Sequence, residues 1–380
     1  MSRARQHPLD RLRSLTHLNI LGLNTGTSLD GLDLCLVRFS EAGGRMAGVE
    51  VLQVRSVPFS KRLRESLWNL ANASQVDKHD LLRTEMAYTE WIARCLHPLK
   101  THRTKGKTIH ALACHGQTIA HFPKQRSRRG NHWRGDTTWQ LGSGPLLAQS
   151  TGIITVDDFR SSDIAAGGMG APLSAYYHYL LFGDEHAVLN LGGIANISVV
   201  RRRRRRLDIL AFDIGPGNML IDSVAQRALG RPYDRDGQTA RRGKPIDAIL
   251  KRATAHPYFR KRPPKTCGRE EFGEAAMTRW FARRTPSTHT APDWLATAVE
   301  ITASQIGRAI TRWVEPFSPV RSLLLSGGGV KNTALVDAIR SHLPHWTITA
   351  TATAGIDPQY VEPAGFAALA HETLRGRPGN

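Results

Sequence analysis

Asp213 is the side chain whose place in the sequence best suits acid–base chemistry. In the segment 212–218 an apolar strand ends at Asp213, glycines and a proline turn the chain, and a helix begins near Asn218. A strand end beside a helix N-terminus is a common position for catalytic groups in α/β folds, and a carboxylate there can take a proton from water or a hydroxyl. A turn or helix-capping role for Asp213 is the alternative, because aspartate also favours such positions.

Glycine-rich turns follow apolar strands at residues 24–31, 190–196 and 326–329. Glycine lets a ligand approach the backbone closely, and successive turn amides form a concave site for anions. The first two turns are therefore candidate phosphate cradles, and the third could lie against an adenine or ribose. Ordinary hairpins and a tight strand–helix loop are the alternatives, and no segment has the spacing of a P-loop. The candidate residues are Gly26, Thr27, Ser28, Asp30, Gly31, Gly192, Gly193, Gly327, Gly328 and Gly329.

Two acidic residues, one in the first turn and one just after it, suit a metal ion. A kinase needs a phosphate cradle with Mg²⁺ and a base placed against the acceptor. Asp30 or Asp33 could hold Mg²⁺ through water, because this ion binds a few carboxylates and keeps several waters. Together with the glycine turns, these residues predict a protein that binds a nucleotide polyphosphate.

Polar side chains at four further positions could contact a sugar. His115 and Gln117 close a short buried strand and offer hydrogen bonds to hydroxyl groups, and Arg160 and Asp163 precede a glycine-rich segment. Structural roles compete here, since a strand-end histidine often belongs to the core and an Arg–Asp pair can pin a loop. Glu362 begins the last helix, where an acid also stabilises the N-terminus through the helix dipole.

The order of the predicted elements indicates two α/β domains. Strand hairpins followed by helices occur twice, which favours two such domains with a cleft between them. We place the first domain at residues 1–175 plus 355–380 and the second at residues 176–354. Strands are predicted at 20–23, 34–39, 51–58, 108–114, 152–156, 322–325 and 347–352. Helices are predicted at 61–73, 81–99, 172–181, 218–229, 291–317, 332–343 and 362–374; residues 124–134 are predicted as a basic loop, and 141–149 give mixed signals.

Charge and cysteine content limit the function classes. The 380 residues carry a formal net charge of +20, which favours anionic partners. No nucleic-acid-binding motif accompanies this charge, so nucleic acid is the less favoured partner, and the arginines at 201–206 are predicted to form a solvated hairpin tip. Cys35, Cys95, Cys114 and Cys267 lack zinc or disulfide spacing, which indicates buried thiols in a reducing compartment. No apolar stretch approaches the ~20 residues that span a membrane, and we predict a cytoplasmic protein.

These motifs together resemble those of the anhydro-N-acetylmuramic acid kinase family. They occur in order from about Leu21 to the C-terminus, and their combination is highly specific. The matching segments are 26–31 (GTSLDG), 114–118 (CHGQT), 158–160 (DFR), 163–168 (DIAAGG), 170–173 (GAPL), 190–196 (NLGGIAN), 215–218 (GPGN), 232–234 (PYD), 263–265 (PPK), 268–270 (GRE) and 327–329 (GGG).

The resemblance implies an actin/hexokinase-like (ribonuclease H-like) fold whose two α/β domains close on ATP and Mg²⁺. It implies hydrolysis of the 1,6-anhydro bond of 1,6-anhydro-N-acetylmuramic acid with phosphorylation of O6, in cell-wall recycling. Asp213 matches the family's general base for the attacking water, and Glu362 matches a second active-site acid that helps to hold sugar and water. Sugar and phosphate contacts would lie in the first domain, where the turn 25–31 would hold ATP phosphates. ATP binding would lie in the second domain, where the loop 326–329 would be near the adenosine. The family also suggests a homodimer.

The chain departs from the family pattern at several positions. Asn24-Thr25 stands where the family usually has Met-Ser, Ile214 replaces a threonine, Ser143 replaces an acid, and Pro363 replaces an alanine. A levoglucosan-type kinase, which acts on the unsubstituted anhydrosugar, is therefore an alternative. A non-catalytic descendant that binds a ligand or partner is another, and nucleic acid binding through the arginine tip is a third.

Overall fold

The computed structural model describes residues 7–26, 29–73, 75–101, 108–122, 137–204, 206–272, 274–281 and 290–379. Its strands are β1 (His17–Asn24), β2 (Gly31–Ala42), β3 (Arg45–Pro58), β4 (Ala111–Cys114), β5 (Gln117–Phe122), β6 (Thr137–Leu141), β7 (Ile154–Val156), β8 (Ala187–Leu191), β9 (Ile194–Arg203), β10 (Arg206–Pro216), β11 (Ser322–Ser326) and β12 (Thr347–Ala350). Its α-helices are α1 (Pro8–Arg13), α2 (Lys61–Asn72), α3 (Lys78–Thr101), α4 (Gly144–Thr151), α5 (Phe159–Ala165), α6 (Ser174–Phe182), α7 (Asn218–Leu229), α8 (Asp247–Thr254), α9 (Arg269–Phe272), α10 (Glu274–Trp280), α11 (Ala291–Ala309), α12 (Thr333–His342) and α13 (Val361–Leu374).

The chain divides into two compact units. Unit 1 comprises Met1–Leu181 and Glu362–Asn380, and unit 2 comprises Phe182–Val361. These limits lie a few residues beyond those that the sequence analysis places at 175 and 354. As a consequence, α6 and α13 belong almost entirely to unit 1.

The sheet of unit 1 has the strand order β3-β2-β1-β4-β7. The pairs β1–β2 and β2–β3 are antiparallel, whereas β1–β4 and β4–β7 are parallel. Every residue of the central strand β1 after His17 is buried, which is typical of a strand covered on both faces. The leucines Leu63, Leu67 and Leu70 follow helical spacing on α2 and pack into the same core.

The sheet of unit 2 repeats this arrangement, with the order β10-β9-β8-β11-β12. The pairs β8–β9 and β9–β10 are antiparallel, whereas β8–β11 and β11–β12 are parallel. Buried residues of β8, β9 and β11 form one core with those of α7, α11 and α12. The order and polarity shared by the two sheets are those of the ribonuclease H-like sheet, and they confirm the predicted α/β fold class.

Most predicted elements are confirmed, and the differences are local. Helix α7 has the predicted limits 218–229, the strand predicted at 108–114 shortens to β4, and the ambiguous segment 141–149 contains most of α4. Residues 124–134, predicted as a basic loop, lie outside the described residues. Within the part of the chain that is described, each helix is too short or too polar to cross a bilayer. The predicted buried thiols Cys35, Cys95 and Cys114 are buried, and Cys267 is half-buried.

Strand β10 continues beyond Asp213, so the prediction that the strand ends there is wrong. Pairing with β9 shifts between Asp213 and Gly215 and then resumes through Pro216. A β-bulge of this kind redirects a side chain without ending the strand, and bulges are frequent next to functional sites. The carboxylate of Asp213 is therefore carried by a bulged strand instead of a free strand end.

The arginine run forms the predicted hairpin tip between β9 and β10, but several of its charges are paired. Asp208, whose side chain is largely buried, lies 3.1 Å from Arg201, 3.1 Å from Arg206 and 3.5 Å from Arg203. The guanidinium of Arg201 also lies 4.5 Å from the centre of the Phe317 ring. The tip is solvated as predicted, since the side chains of Arg202, Arg203 and Arg206 are 52%, 65% and 84% exposed, but a single carboxylate of β10 forms ion pairs with three of its arginines.

Candidate functional site

Asp213 lies on β10 immediately before the bulge, close in sequence to the start of α7. The turn that joins β10 to α7 is tied to the glycine turn between β8 and β9. Gly217 N donates to Gly193 O at 2.9 Å, and Asn218 N donates to Gly192 O at 2.8 Å. The N-cap of α7 is Gly217, without a side-chain cap, so the carboxylate of Asp213 does not cap this helix.

The carboxylate of Asp213 is held by the loop that precedes α9. Its Oδ2 accepts hydrogen bonds from Thr266 Oγ1 at 2.7 Å and from Cys267 N at 3.1 Å. In the backbone, Asp213 N donates to Lys265 O at 3.0 Å, and the hydroxyl of Tyr258 donates to Asp213 O at 2.7 Å. Among the described residues Oδ1 has no hydrogen-bond partner, so this oxygen remains available to water or a ligand.

The surroundings of Asp213 favour proton transfer. Burial raises the pKa of this carboxyl, while the Thr266 hydroxyl, the Cys267 amide and the positive charge of Lys265 act in the opposite direction. The ammonium of Lys265 lies 4.6 Å from the centre of the Tyr258 ring, and burial lowers its pKa to about 8. A carboxyl with a raised pKa and one available oxygen has the properties of a general base.

The third glycine turn packs against the end of β8. Gly327 has a φ of 81°, and a Cβ there would lie 2.4 Å from Asn190 Oδ1. A Cβ at Gly329 would lie 2.7 Å from Leu191 Cβ. Side chains are thus excluded at both positions, whereas a Cβ at Gly328 would have no described atom within 4 Å. The second and third glycine turns therefore meet at the C-terminal ends of the parallel strands β8 and β11, where ligands bind in open α/β sheets.

Glu362 lies in the first turn of α13 and contacts the last residue of β1. Its Oε2 accepts a hydrogen bond from Asn24 Nδ2 at 2.6 Å. Burial raises the pKa of Glu362, the Asn24 amide and the charge of Arg160 lower it, and the charge of Asp33 raises it. The ionised form of this carboxyl thus depends on one amide and one guanidinium within unit 1.

The first turn of α13 packs directly on β1. A Cβ at Gly22 would lie 1.8 Å from Pro363 O and 3.3 Å from Ala367 Cβ. Glycine is therefore required at position 22, and Pro363, which departs from the family pattern, takes part in this contact through its carbonyl. The close approach of the helix to the strand brings Glu362 within hydrogen-bond distance of Asn24.

Arg160 and His115 form a buried pair. Arg160 Nε donates to His115 Nε2 at 2.9 Å, and its Nη1 donates to Gly170 O at 2.8 Å. His115 Nδ1 donates to Gly116 O at 2.9 Å, and the imidazole centre lies 4.3 Å from that of the Phe366 ring. Burial, followed by the charge of Arg160, lowers the pKa of His115 to about 3. His115 is therefore neutral, and both of its ring nitrogens are engaged within unit 1.

Asp163 and Gln117 differ in the hydrogen-bonding capacity they retain. Asp163 Oδ2 accepts from Gly170 N at 2.7 Å, so Asp163 and Arg160 hold the same residue through its two backbone polar groups. Gln117 is 2% exposed and its Nε2 donates to Thr118 O at 3.1 Å. Its Oε1 is buried and has no partner among the described residues. A buried polar atom without a partner is unusual in a folded protein and calls for water or a ligand.

The first glycine turn is described only in part. Thr27 and Ser28 lie outside the described residues. Gly26 accepts a backbone hydrogen bond within the turn from Leu29 at 3.2 Å, and Gly31 is the first residue of β2. The turn therefore leads directly from β1 into β2, as the sequence predicts.

The carboxylate of Asp30 suits a water-mediated contact with Mg²⁺. Its side chain is 72% exposed and lies 3.3 Å from Arg64 Nη2 of α2. Across the described ranges, no group of three or more His, Cys, Asp or Glu side chains could enclose a metal. Mg²⁺ at a phosphate site does not need such an enclosure, because it takes one or two carboxylates together with phosphate oxygens and water. An exposed carboxylate in the first turn therefore fits this ion.

Two departures from the family pattern have structural explanations. Ile214 is 2% exposed and belongs to the hydrophobic core of unit 2. Ser143 is the N-cap of α4, where its Oγ accepts from Leu146 N at 3.3 Å. Neither residue indicates by itself that the chain has lost activity, because each contributes to the packing or capping of its own unit.

Sequence reasoning missed the partners of both candidate carboxylates. Thr266 and Cys267 lie between two motif segments, and nothing in their spacing indicates that they bind Asp213. Asn24 carried a usable signal, because a polar residue stands where the family has methionine, but its partner Glu362 is 338 positions away.

The family description and the sequence relatives that match this chain cover nearly all of it. The family description "Anhydro-N-acetylmuramic acid kinase" matches residues 18–380. The anhydro-N-acetylmuramic acid kinase of Chromohalobacter salexigens is 38% identical over 365 residues, which cover 95% of this chain and 94% of that protein. The protein of the same name from Bacillus cereus is 33% identical over 367 residues, with 95% and 94% covered. Among solved structures, the activator of the 2-hydroxyisocaproyl-CoA dehydratase from Clostridium difficile with bound ADPNP is 10% identical, with a TM-score of 0.43 over 94% of this chain and 96% of that one.

Proposed function

Because the chain belongs to the anhydro-N-acetylmuramic acid kinase family, we propose that it is an ATP-dependent kinase of 1,6-anhydro-N-acetylmuramic acid. The reaction hydrolyses the 1,6-anhydro bond and phosphorylates O6, which gives N-acetylmuramic acid 6-phosphate for cell-wall recycling in the cytoplasm. The observation that carries the proposal is the Asp213 carboxylate, which belongs to the same unit as two glycine turns and keeps one oxygen without a partner among the described residues.

Asp213 is the proposed general base. It takes a proton from water, and the water oxygen forms a bond to the anomeric carbon while the bond from that carbon to O6 breaks. O6 then forms a bond to the γ-phosphorus of ATP as the bond to the β,γ-bridging oxygen breaks, which releases ADP. A positioned base of this kind contributes about 10²–10⁴-fold to a rate.

The glycine turns are the proposed nucleotide contacts. In unit 2, Gly192 and Gly193 are assigned to the phosphates and Gly327–Gly329 to the adenosine, which is supported by their meeting at the ends of β8 and β11 and by the open space beside Gly328. In unit 1, the first turn is assigned to the phosphates because it matches the family motif. Its residues are Gly26, Thr27, Ser28, Asp30 and Gly31.

Unit 1 is proposed to contribute the sugar contacts. Glu362 is the second acid that holds sugar and water, and the nearby charge of Arg160 favours its ionised form. The buried Oε1 of Gln117 can accept a hydrogen bond from a sugar hydroxyl. His115 and Asp163 would act by fixing Arg160 and the loop at residue 170, since their described hydrogen bonds go to these groups.

Mg²⁺ is the proposed metal ion, with Asp30 as a ligand through water. When bound, the ion neutralises the negative charge that builds up on the phosphates during transfer. The Asp30 carboxylate is 72% exposed, and its ion-pair partner Arg64 is 53% exposed, so solvent and a hydrated ion can reach this carboxylate. If hydrated Mg²⁺ replaced the Arg64 guanidinium beside Asp30, the negative charge of this carboxylate would still face a positive charge.

The proposal is tested with ATP, Mg²⁺ and 1,6-anhydro-N-acetylmuramic acid in ¹⁸O-labelled water, followed by mass analysis of the product. We expect one phosphate and one ¹⁸O atom in each product molecule. The unsubstituted anhydrosugar levoglucosan, assayed in parallel, should react more slowly. A phosphorylated product without the label would contradict coupled hydrolysis, and the absence of any product would contradict the proposed activity.

The role of Asp213 is tested by Asp213→Asn. Turnover should fall by about 10²-fold or more because amide nitrogen and oxygen cannot take the proton, while ATP affinity changes little. Asp208→Asn is the matched control, since it makes the same change on the same strand but only releases the arginines of the hairpin tip. Normal turnover by Asp213→Asn would refute its role as base.

A further inference from the structure

We propose that Thr266 is a positioning residue for Asp213 and that Oδ1 of Asp213 is the atom that takes the proton from water. The inference rests on the proposed function and adds a residue to it. Thr266 itself does not react. It fixes which oxygen of the carboxylate is presented to the substrate.

The two carboxylate oxygens have different surroundings. Oδ2 accepts from Thr266 Oγ1 at 2.7 Å and from Cys267 N at 3.1 Å, whereas Oδ1 has no partner among the described residues. A proton placed on Oδ2 would compete with two donors that already occupy its lone pairs. A proton placed on Oδ1 leaves both hydrogen bonds intact, so Oδ1 is the favoured site of protonation.

The donors are themselves fixed to β10. Lys265 O, one residue before Thr266, accepts from Asp213 N at 3.0 Å, and the Tyr258 hydroxyl donates to Asp213 O at 2.7 Å. The loop is therefore hydrogen-bonded to both the backbone and the side chain of Asp213. A carboxylate held in this way cannot rotate about its Cβ–Cγ bond without losing the Thr266 and Cys267 contacts, which gives the base a defined orientation.

Several groups face this carboxyl from the surrounding elements. They are the ammonium of Lys265, the phenol of Tyr258 and the thiol of Cys267. On the neighbouring strand β9, the residue that pairs with Asp213 is Asn196, which is neutral. Burial raises the pKa of Asp213, and its two donors lower it. The ammonium of Lys265 lies over the Tyr258 ring, at 4.6 Å, and is not hydrogen-bonded to the carboxylate. Among the described side chains, the hydroxyl of Thr266 is thus the hydrogen-bond donor that supports the ionised form.

The test compares Thr266→Val with Thr266→Ser. Valine keeps the shape but removes the hydroxyl, and serine restores the hydroxyl as the conservative variant. The pKa of Asp213 is read directly from the ¹³C carboxyl signal of aspartate-labelled full-length protein, assigned with Asp213→Asn. The pH dependence of kcat/KM is measured in parallel, and Thr266→Ala serves as a second hydroxyl-free variant should the valine side chain impair folding.

We expect Thr266→Val to raise the titration midpoint of Asp213, and the acidic limb of kcat/KM, by about one pH unit, since a hydrogen bond to a charged group is lost. The kcat of the variant should fall by about tenfold at the pH optimum with little change in the KM for ATP, and Thr266→Ser should match the wild type. Unchanged midpoints in both hydroxyl-free variants would overturn the inference, as would equal impairment of the serine variant.

Failure of the inference can be distinguished from failure of the proposed function. If the wild type phosphorylates no anhydrosugar, the proposed function fails, and the ¹³C titration still reports whether Thr266 holds Asp213. If the wild type is active and the titration does not respond to loss of the hydroxyl, the proposed function stands and the role of Thr266 is refuted.

Discussion

Replacing Asn24 by methionine, the residue usual in the family, tests how Glu362 keeps its charge. The amide of Asn24 donates to Glu362 Oε2 at 2.6 Å, and Asn24 is 5% exposed. Methionine is similar in length but has no donor, so the carboxylate would lose its hydrogen-bonded partner on β1. Arg160 would remain as the nearby positive charge, and Asp33 would remain as a negative one.

The expected effect depends on pH in a defined direction. Burial raises the pKa of Glu362, so the folded chain binds this proton more tightly than the unfolded chain. The free energy of unfolding therefore falls as the pH rises from the unfolded pKa, about 4.3, through the folded pKa. Asn24 stabilises the ionised form and makes this fall smaller. Without the donor, about 1.5–3 kcal/mol is lost at pH values above the folded pKa, whereas below about pH 4 only a hydrogen bond to a neutral carboxyl, about 0.5–1.5 kcal/mol, is lost.

Hydrogen exchange of the amides of α13, followed by mass spectrometry, measures this effect within unit 1. The difference in exchange free energy between Asn24→Met and wild type should be smallest near about pH 4 and should increase towards about pH 8. The matched control is Asn19→Met on the same strand. Asn19 is 1% exposed; its Nδ2 donates to Thr108 O at 2.9 Å, and its Oδ1 accepts from Arg38 Nε at 3.2 Å. Neither a carbonyl nor a guanidinium changes its charge across this pH range. Loss of the Asn19 amide should therefore cost a similar amount at every pH. A pH-independent effect of Asn24→Met would refute the reasoning, and so would an unchanged effect in a Glu362→Gln background.

Two further predictions concern charged groups within single units. Burial raises the pKa of Asp222 to about 7, so the free energy of unfolding should fall between about pH 4 and pH 7. Asp222→Asn should flatten this pH dependence, and an equal pH dependence of the wild type and Asp222→Asn in chemical denaturation would contradict the prediction. Arg160→Lys keeps the positive charge, but a lysine ammonium cannot donate to His115 Nε2 and Gly170 O at the same time as the guanidinium does. We expect a loss of about 1.5–3 kcal/mol, seen as faster exchange in α5, and unchanged protection there would disprove this account.

Local patterns in the sequence were sufficient to predict two α/β domains and the helices α2, α3, α6, α7, α11, α12 and α13, but not the strand order of either sheet. Helix α7 has the predicted limits because glycines flank it on both sides, at 217 and 230. The limit of β10 could not be predicted in this way. Whether the strand stops at Asp213 or continues through a bulge is decided by pairing with β9, and a turn-forming sequence is compatible with both. Helix α4 is short and lacks a strong apolar period, so its segment gave mixed signals.

Parts of the candidate site that depend on residue type, such as the glycine turns, could be predicted from the sequence. The hydrogen-bond partners of its polar side chains could not, because they lie far away along the chain. The glycine turns at 192–193 and 327–329 were recognisable as candidate nucleotide contacts from their residue types, but their meeting at one edge of the sheet follows from the parallel pairing of β8 with β11. The hydrogen bond from Thr266 to Asp213 spans 53 positions, and its donor has no periodic or motif signal. Similarly, the sequence suggests a sugar contact for His115 but not that Arg160 already occupies its Nε2.

The departures from the family pattern acquire different meanings once their positions are known. Ile214 packs in the core of unit 2, and Ser143 caps α4, a role that an acid at this position would also perform. Ile214 and Ser143 therefore have structural roles, in core packing and in helix capping respectively. Asn24 differs because it bonds directly to Glu362, one of the two candidate carboxylates. A substitution that contacts a candidate catalytic group can alter its protonation, whereas one in the core alters only stability. We therefore expect any chemical difference between this chain and its relatives to depend on Asn24, at the end of β1.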